Sequence, residues 1–155
     1  MEFKKFNVSN SNPNGLFTCS RGTRLTKLER KPGNIPLLTA GVGEGQGVAQ
    51  FIAETPKMTL YKNDITIDMF GLVYYHDYEH YGDDNIHFLV NDSFSHKVKL
   101  YITTVIEKAL NGYSYGNQFR MADLNDLVIS LPVHNILCPD FDKLQDMVDV
   151  GGMLI

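Results

Sequence analysis

No stretch of this sequence approaches the roughly eighteen consecutive apolar residues of a membrane-spanning helix, and the opening "MEFKKFNVSNSN" lacks the apolar core of a signal peptide. Cysteine is scarce. Cys19 and Cys138 lie far apart and in no metal-ligand spacing, which leaves room for one disulfide at most and points to a reducing compartment. The expectation is a soluble cytoplasmic protein with no membrane partner.

Catalytic signatures are missing as well. In "GVGEGQGV" the glycines Gly41, Gly43, Gly45 and Gly47 simply alternate, which fits neither G-x-G-x-x-G nor a phosphate loop ending in Lys-Ser/Thr. No Gly-x-Ser-x-Gly elbow occurs, and neither cysteine has an evident histidine partner. Glu29-Arg30-Lys31 and "PDFDK" at 139–143 resemble pieces of a nuclease signature, in the wrong order and at poor separation. "NPNG" at 12–15 is the nearest approach to an adenine-methyltransferase motif. His76, Asp77, Glu79, His80, Asp83, Asp84 and His87 crowd one window, but four-residue spacing in a strand and loop does not put His76 and His80 on one face. A solvated acidic loop is the expectation there. A metal-dependent hydrolase remains the alternative, with no catalytic residue, no metal and no cofactor assigned.

What is present is a large enough chain to bury a core, and an uneven charge. Net charge is −4, yet residues 1–40 carry seven basic side chains against two acidic, a balance of +5, so the rest holds −9. Such asymmetry suits an anionic partner on one side. Alternation predicts strands over Ile35–Ala40 and Val48–Ala53, with a Pro32-Gly33 turn before the first. "DITIDMF" places Ile65, Ile67 and Met69 on one face and Thr66 and Asp68 on the other; "LVYYHDY", Asn85–Val90 and "LVISLPV" read as further strands. Val98, Tyr101, Ile102, Val105 and Ala109 recur at helical steps, giving a main amphipathic helix over about 96–110, capped by Ser93 or Ser95 and stopped at Gly112. "MADLND" reads as a short helical turn, and "PDFDKLQDMVDV" as a closing helix started by Pro139. The fold class expected is α+β, with a twisted mixed or antiparallel sheet.

Three segments in this order, "RGTRLTKLERKPGNIPLLTAGVGEGQGVAQFI", "ITIDMFGLVYYHDYEHYGDDNIHFL" and "YITTVIEKALNGYSYGNQFRMADLNDLVISLPV", closely resemble the target recognition domain of restriction–modification specificity subunits, of type I and type IIB systems. The likeness is strongest over 17–133. It implies one recognition domain over 1–155, reading half of a bipartite sequence in double-stranded DNA without catalysis of its own. Against the family pattern, no second recognition domain and no long heptad helices are expected here. Implied partners are methyltransferase and restriction subunits, with a second recognition domain or a second copy as the other half-site reader. A regulatory protein-interaction module derived from such a domain is the other alternative.

On that reading, Arg21, Arg24, Lys27, Arg30 and Lys31 are candidates for phosphate contacts. Base edges call for bidentate groups, Arg to guanine and Asn or Gln to adenine. Asn117, Gln118 and Arg120, after the sharp turn of "GYSYG", are the leading candidates; Gln46 is next, with Thr39 and Asn63 behind it. Tyr113 and Tyr115 are expected to bury their rings on the core.

Overall fold

The computed structural model describes residues 2–42, 44–135 and 138–151. At its centre lies β5 (Asp64–Asp68), whose five residues are all buried. β6 (Val73–His76) and β8 (Ile86–Val90) flank it antiparallel, and β2 (Thr18–Arg21) lies outside β8, giving the order β2-β8-β5-β6. One face presents Ile65, Ile67, Val73, Tyr75 and Leu89. Against it packs α1 (His96–Ala109) through Val98, Tyr101, Ile102 and Ile106. Each such side chain contributes about 1.5–3 kcal/mol on burial.

The other face carries Thr66, Asp68, His76 and Phe88, and it too is covered. β3 (Pro32–Leu38) and β4 (Val48–Ile52) form an antiparallel hairpin, joined in parallel by β7 (Tyr81–Gly82). Leu38 packs on Ile86 and Phe88, while Leu25, Leu37, Ile52, Met58 and Tyr81 make a second cluster. A third small sheet pairs β1 (Phe3–Asn7) and β10 (Cys138–Pro139) with β9 (Val128–Asn135). It adds Phe6, Ile129 and Leu131 to the main core, with Leu144 and Val148 of α3 (Phe141–Gly151). α2 (Met121–Asp126) inserts Leu124.

The α+β class holds, with the strands divided among three sheets. Several local expectations change. Pro32-Gly33 is no turn: both belong to β3, at a bulge where a Cβ on Gly33 would meet the Ala53 nitrogen at 2.3 Å. Ile106, not Ala109, completes the buried face of α1. Ser95 caps that helix, its Oγ accepting the Val98 amide at 3.2 Å, whereas Ser93 turns back onto Asn91. The helix stops at Leu110, and Gly112 spends its positive φ of 80° in the loop beyond. Pro139 pairs in β10, and Asp140 caps α3 by accepting the Lys143 amide. Among the described residues no helix is long and apolar enough to cross a membrane. Gly43 and the last four residues lie outside the described ones.

Candidate nucleic-acid interface

The tight turn between β5 and β6 is where separate loops meet. Asp68, nearly fully buried, accepts the Phe70 and Leu72 amides through Oδ1 at 2.8 and 3.0 Å. Its Oδ2 accepts the Gly41 amide at 2.9 Å, so one carboxylate ties this turn to the glycine loop. Gly41 is required there: its φ is +80°, and an added Cβ would meet the Phe70 ring at 2.9 Å. On the other side, the Met69 carbonyl accepts the Phe119 amide at 2.7 Å, and the Tyr113 ring lies against Gly71. A recess of about 40 Å³ opens beside Met69, lined by Arg21, Asp84, His87, Phe119 and Arg120 among others. The two arginines farthest apart in sequence among the candidates thus share one cleft.

The 113–120 loop is built on a tight turn. Ser114 and Asn117 exchange backbone hydrogen bonds at 3.0 and 3.1 Å, leaving Tyr115 and Gly116 at its tip. Asn117 Nδ2 donates to the Gly112 carbonyl and Gln118 Nε2 to the Tyr115 carbonyl. Gln118 Oε1 accepts from the Arg120 guanidinium at 2.8 Å, and the Arg120 amide donates to Asp123, opening α2. Tyr113 stacks edge-on against Phe119 as expected, with centroids 5.2 Å apart. Tyr115 departs from expectation: it is 79% exposed, because the turn carries it past the last core residue it could reach.

The basic segment is spread more widely. Arg21 Nε donates to the Asp84 carbonyl at 2.7 Å. Arg24 and Lys27 are exposed, Lys27 on a short 3-10 turn closed by Glu29 accepting from Thr26. Arg30 is half-buried and donates to the Leu25 carbonyl and, at 3.4 Å, to Gln50. The Thr39 amide closes the glycine loop on the Gly47 carbonyl. Gln46, at φ 57°, is exposed and accepts from the Tyr78 hydroxyl. Asn63, at φ 59°, offers its carbonyl to the Lys99 ammonium at 2.7 Å. Arg21 and Arg120 therefore meet beside Met69, with Gln118 bound to Arg120 and Asn117 in the adjoining turn, and the loop bearing Thr39 and Gln46 is tethered to the Met69–Leu72 turn. Lys27 and Lys31 sit at the far end of β3, roughly 20 Å away by strand rise. Asn63 lies at the far end of β5.

The 76–87 window is solvated only in part: Asp77 and Glu79 are exposed, but the histidines are not. His76 and His80 are fully buried, His87 and Asp83 nearly so, and the His76 and His80 rings lie 4.7 Å apart. β6 ends with His76 facing the second sheet, and a bridge between Tyr61 and His80 pulls the following turn under that sheet. Asp64 Oδ1 lies 2.7 Å from His80 Nε2 at an angle poor for a hydrogen bond. Burial pushes the Asp64 carboxyl up, against the opposing pull of His80. Among the described residues no group of three His, Cys, Asp or Glu side chains is arranged to hold a metal.

Sequence reasoning missed Asp68, Tyr78 and His76 as parts of this region. The alternation that set Thr66 and Asp68 on a common face was the available signal, since a central strand buried on both faces must satisfy such groups internally.

A family model described as "Type I restriction modification DNA specificity domain" matches residues 7–149. The chain is 27% identical over 135 residues to the specificity subunit of the type II restriction enzyme BgcI of Heyndrickxia coagulans, covering 84% of this chain and 39% of that protein. Its fold is similar to that of the type I restriction–modification S subunit from M. genitalium, with a TM-score of 0.68 at 16% identity, over 96% of this chain and 38% of the other. It is also similar to the HsdS subunit from Thermoanaerobacter tengcongensis, with a TM-score of 0.66 at 12% identity, over 98% and 37%. The chain thus spans about two fifths of the length of these relatives.

Proposed function

As this chain belongs to the family of type I restriction modification DNA specificity domains, we propose that it reads a short sequence in double-stranded DNA, one half-site of a restriction–modification target. The observation that carries this reading is the meeting of Arg21, Arg120 and the glycine loop at the Met69–Leu72 turn, with Gln118 bound to Arg120 and Asn117 in the adjoining turn. Those side chains have the heads that base edges require, and the loops that carry them are braced by buried Asp68 and by the bond from the buried Phe119 to Met69. Arg24, Lys27 and Lys31, exposed and farther along, supply phosphate contacts, while half-buried Arg30 mainly holds its own turn.

The domain reads and does not cut or methylate; methyltransferase and restriction subunits supply the chemistry. With −9 of charge outside the first forty residues, affinity is modest and falls steeply with salt. Tight binding requires a second reader on the same duplex, because linkage raises the effective concentration of the second contact. The test is selection from a randomised duplex pool at low salt, followed by sequencing of the retained fraction. A short enriched motif is expected; a retained pool indistinguishable from the input counts against the proposal.

A further inference from the structure

Gln46 is exposed and sits in the left-handed region, yet its amide is tied down. The Tyr78 hydroxyl donates to Gln46 Oε1 at 3.1 Å, and the same hydroxyl oxygen lies 2.9 Å from His76 Nδ1. A hydroxyl that has given its one proton to Gln46 can only accept from the ring, so Nδ1 carries the imidazole proton. Nε2 is then an acceptor, and the Thr66 hydroxyl lies 2.7 Å away to donate to it. Burial, with His80 alongside, holds the His76 pKa down to about 3, so the ring is neutral and has one proton to give. The donors therefore run one way, from Thr66 through His76 and Tyr78 to the glutamine oxygen. Asn117 is anchored with the opposite polarity, through its amide nitrogen, and Gln118 through both ends of its amide.

Resting on the reading that this chain recognises duplex DNA, we propose that Thr66, His76 and Tyr78 are positioning residues that hold Gln46 with its amide oxygen inward and its amide nitrogen outward, making it a reader of guanine. A glutamine with both amide atoms available pairs with adenine, donating to N7 and accepting from N6. With Oε1 engaged by Tyr78, only the NH₂ group faces the groove, and it is purely a donor. Guanine presents two adjacent acceptors, N7 and O6, whereas adenine sets a donor beside its N7, thymine sets a methyl group beside its single acceptor O4, and cytosine offers only a donor. A side chain whose type suggests adenine is thereby switched to guanine by what lies beneath it.

The experiment compares wild type, Gln46→Ala and Tyr78→Phe in selection from a randomised duplex pool, with melting curves to establish folding. The wild-type motif is expected to contain a guanine whose preference Gln46→Ala abolishes. In Tyr78→Phe the adenine-to-guanine ratio at that position should rise by about 5- to 150-fold, the range of one bidentate pair, while the remaining motif is unchanged. Thr66→Val, which removes only the first donor, should shift the same position in the same direction and serves if Tyr78→Phe does not fold. A clear wild-type motif that neither variant alters at any position overturns the positioning role and leaves DNA reading intact. Absence of any wild-type motif overturns DNA reading, and this inference with it.

Discussion

The Asp68 carboxylate accepts the Gly41 amide at 2.9 Å, joining two loops that are 27 residues apart, while its other oxygen closes its own turn on Phe70 and Leu72. Three backbone donors thus converge on one buried acid, and hydrogen bonds to a charged group contribute about 1.5–3 kcal/mol each. Asp68→Ala should therefore lower the urea midpoint by the equivalent of at least about 2 kcal/mol and release the glycine loop. Amide hydrogen exchange at Gly41 reads the second effect directly. Unchanged protection there would mean that the loop is held by something other than this carboxylate.

Arg120 and Lys27 separate the two kinds of contact a DNA reader makes. Arg120 shares the recess with Arg21 and is steadied by Gln118, whereas Lys27 stands exposed on a short turn. Arg120→Ala is expected to lose about 1–3 kcal/mol of discrimination at one base position. Lys27→Ala should weaken all sequences alike and reduce the slope of log affinity against log salt by about 0.9. Titrations of matched and mismatched duplexes at several salt concentrations distinguish the two; identical behaviour of the variants would remove the distinction.

Tyr113 and Tyr115 were alike in sequence and are opposites in the fold. Tyr113 packs on Phe119 and Gly71, so Tyr113→Ala should destabilise by about 2–4 kcal/mol from lost burial and ring pairing. Tyr115 is exposed at the tip of its turn, and Tyr115→Ala should stay within about 0.5 kcal/mol of wild type in thermal melts. Its effect should instead be seen in weaker duplex binding. A loss of stability in Tyr115→Ala comparable with that of Tyr113→Ala would show that the turn folds back onto the core in solution.

How far the sequence carried is visible in these same residues. α1 was legible because its buried face is built from apolar side chains at three- and four-residue steps with a serine before them. β5 and its neighbours were legible through alternation. β1 and β2 were not: "FKKFN" and "TCSR" become strands only through partners in β9 and β8 that are distant in the chain. Arg21, Gln118 and Arg120 could be nominated from side-chain chemistry, since the groups that recognise bases are few. Nothing local announced that Arg21 and Arg120 share a cleft, or that Asp68 braces the glycine loop. The 76–87 window misled because exposed Asp77 and Glu79 alternate with His76 and His80, which the sheet built from residues 32–52 covers.

Protonation of the buried histidines gives a stability profile with a definite sign. His76 is held neutral, its pKa down at about 3, by burial first and the neighbouring His80 second. In the unfolded chain it titrates near the ordinary 6.5. Below pH 6.5 the unfolded state therefore binds a proton that the native state refuses, so this contribution is complete above pH 6.5 and is lost as pH falls. The slope from His76 alone approaches about 1.4 kcal/mol per pH unit once pH is well below 6.5. His87, also lowered by burial, acts in the same sense. Asp64 and Asp83, both raised by burial, act in the opposite sense: the strain of keeping them ionised is relieved as pH falls through their native values. Urea midpoints of wild type should thus decline between pH 7.5 and 5.5. His76→Asn, which retains a donor toward Tyr78, should be less stable at pH 7.5 but decline less steeply. Parallel profiles for the two proteins would show that His76 takes up its proton in the native state and that the polar chain beneath Gln46 is not held neutral.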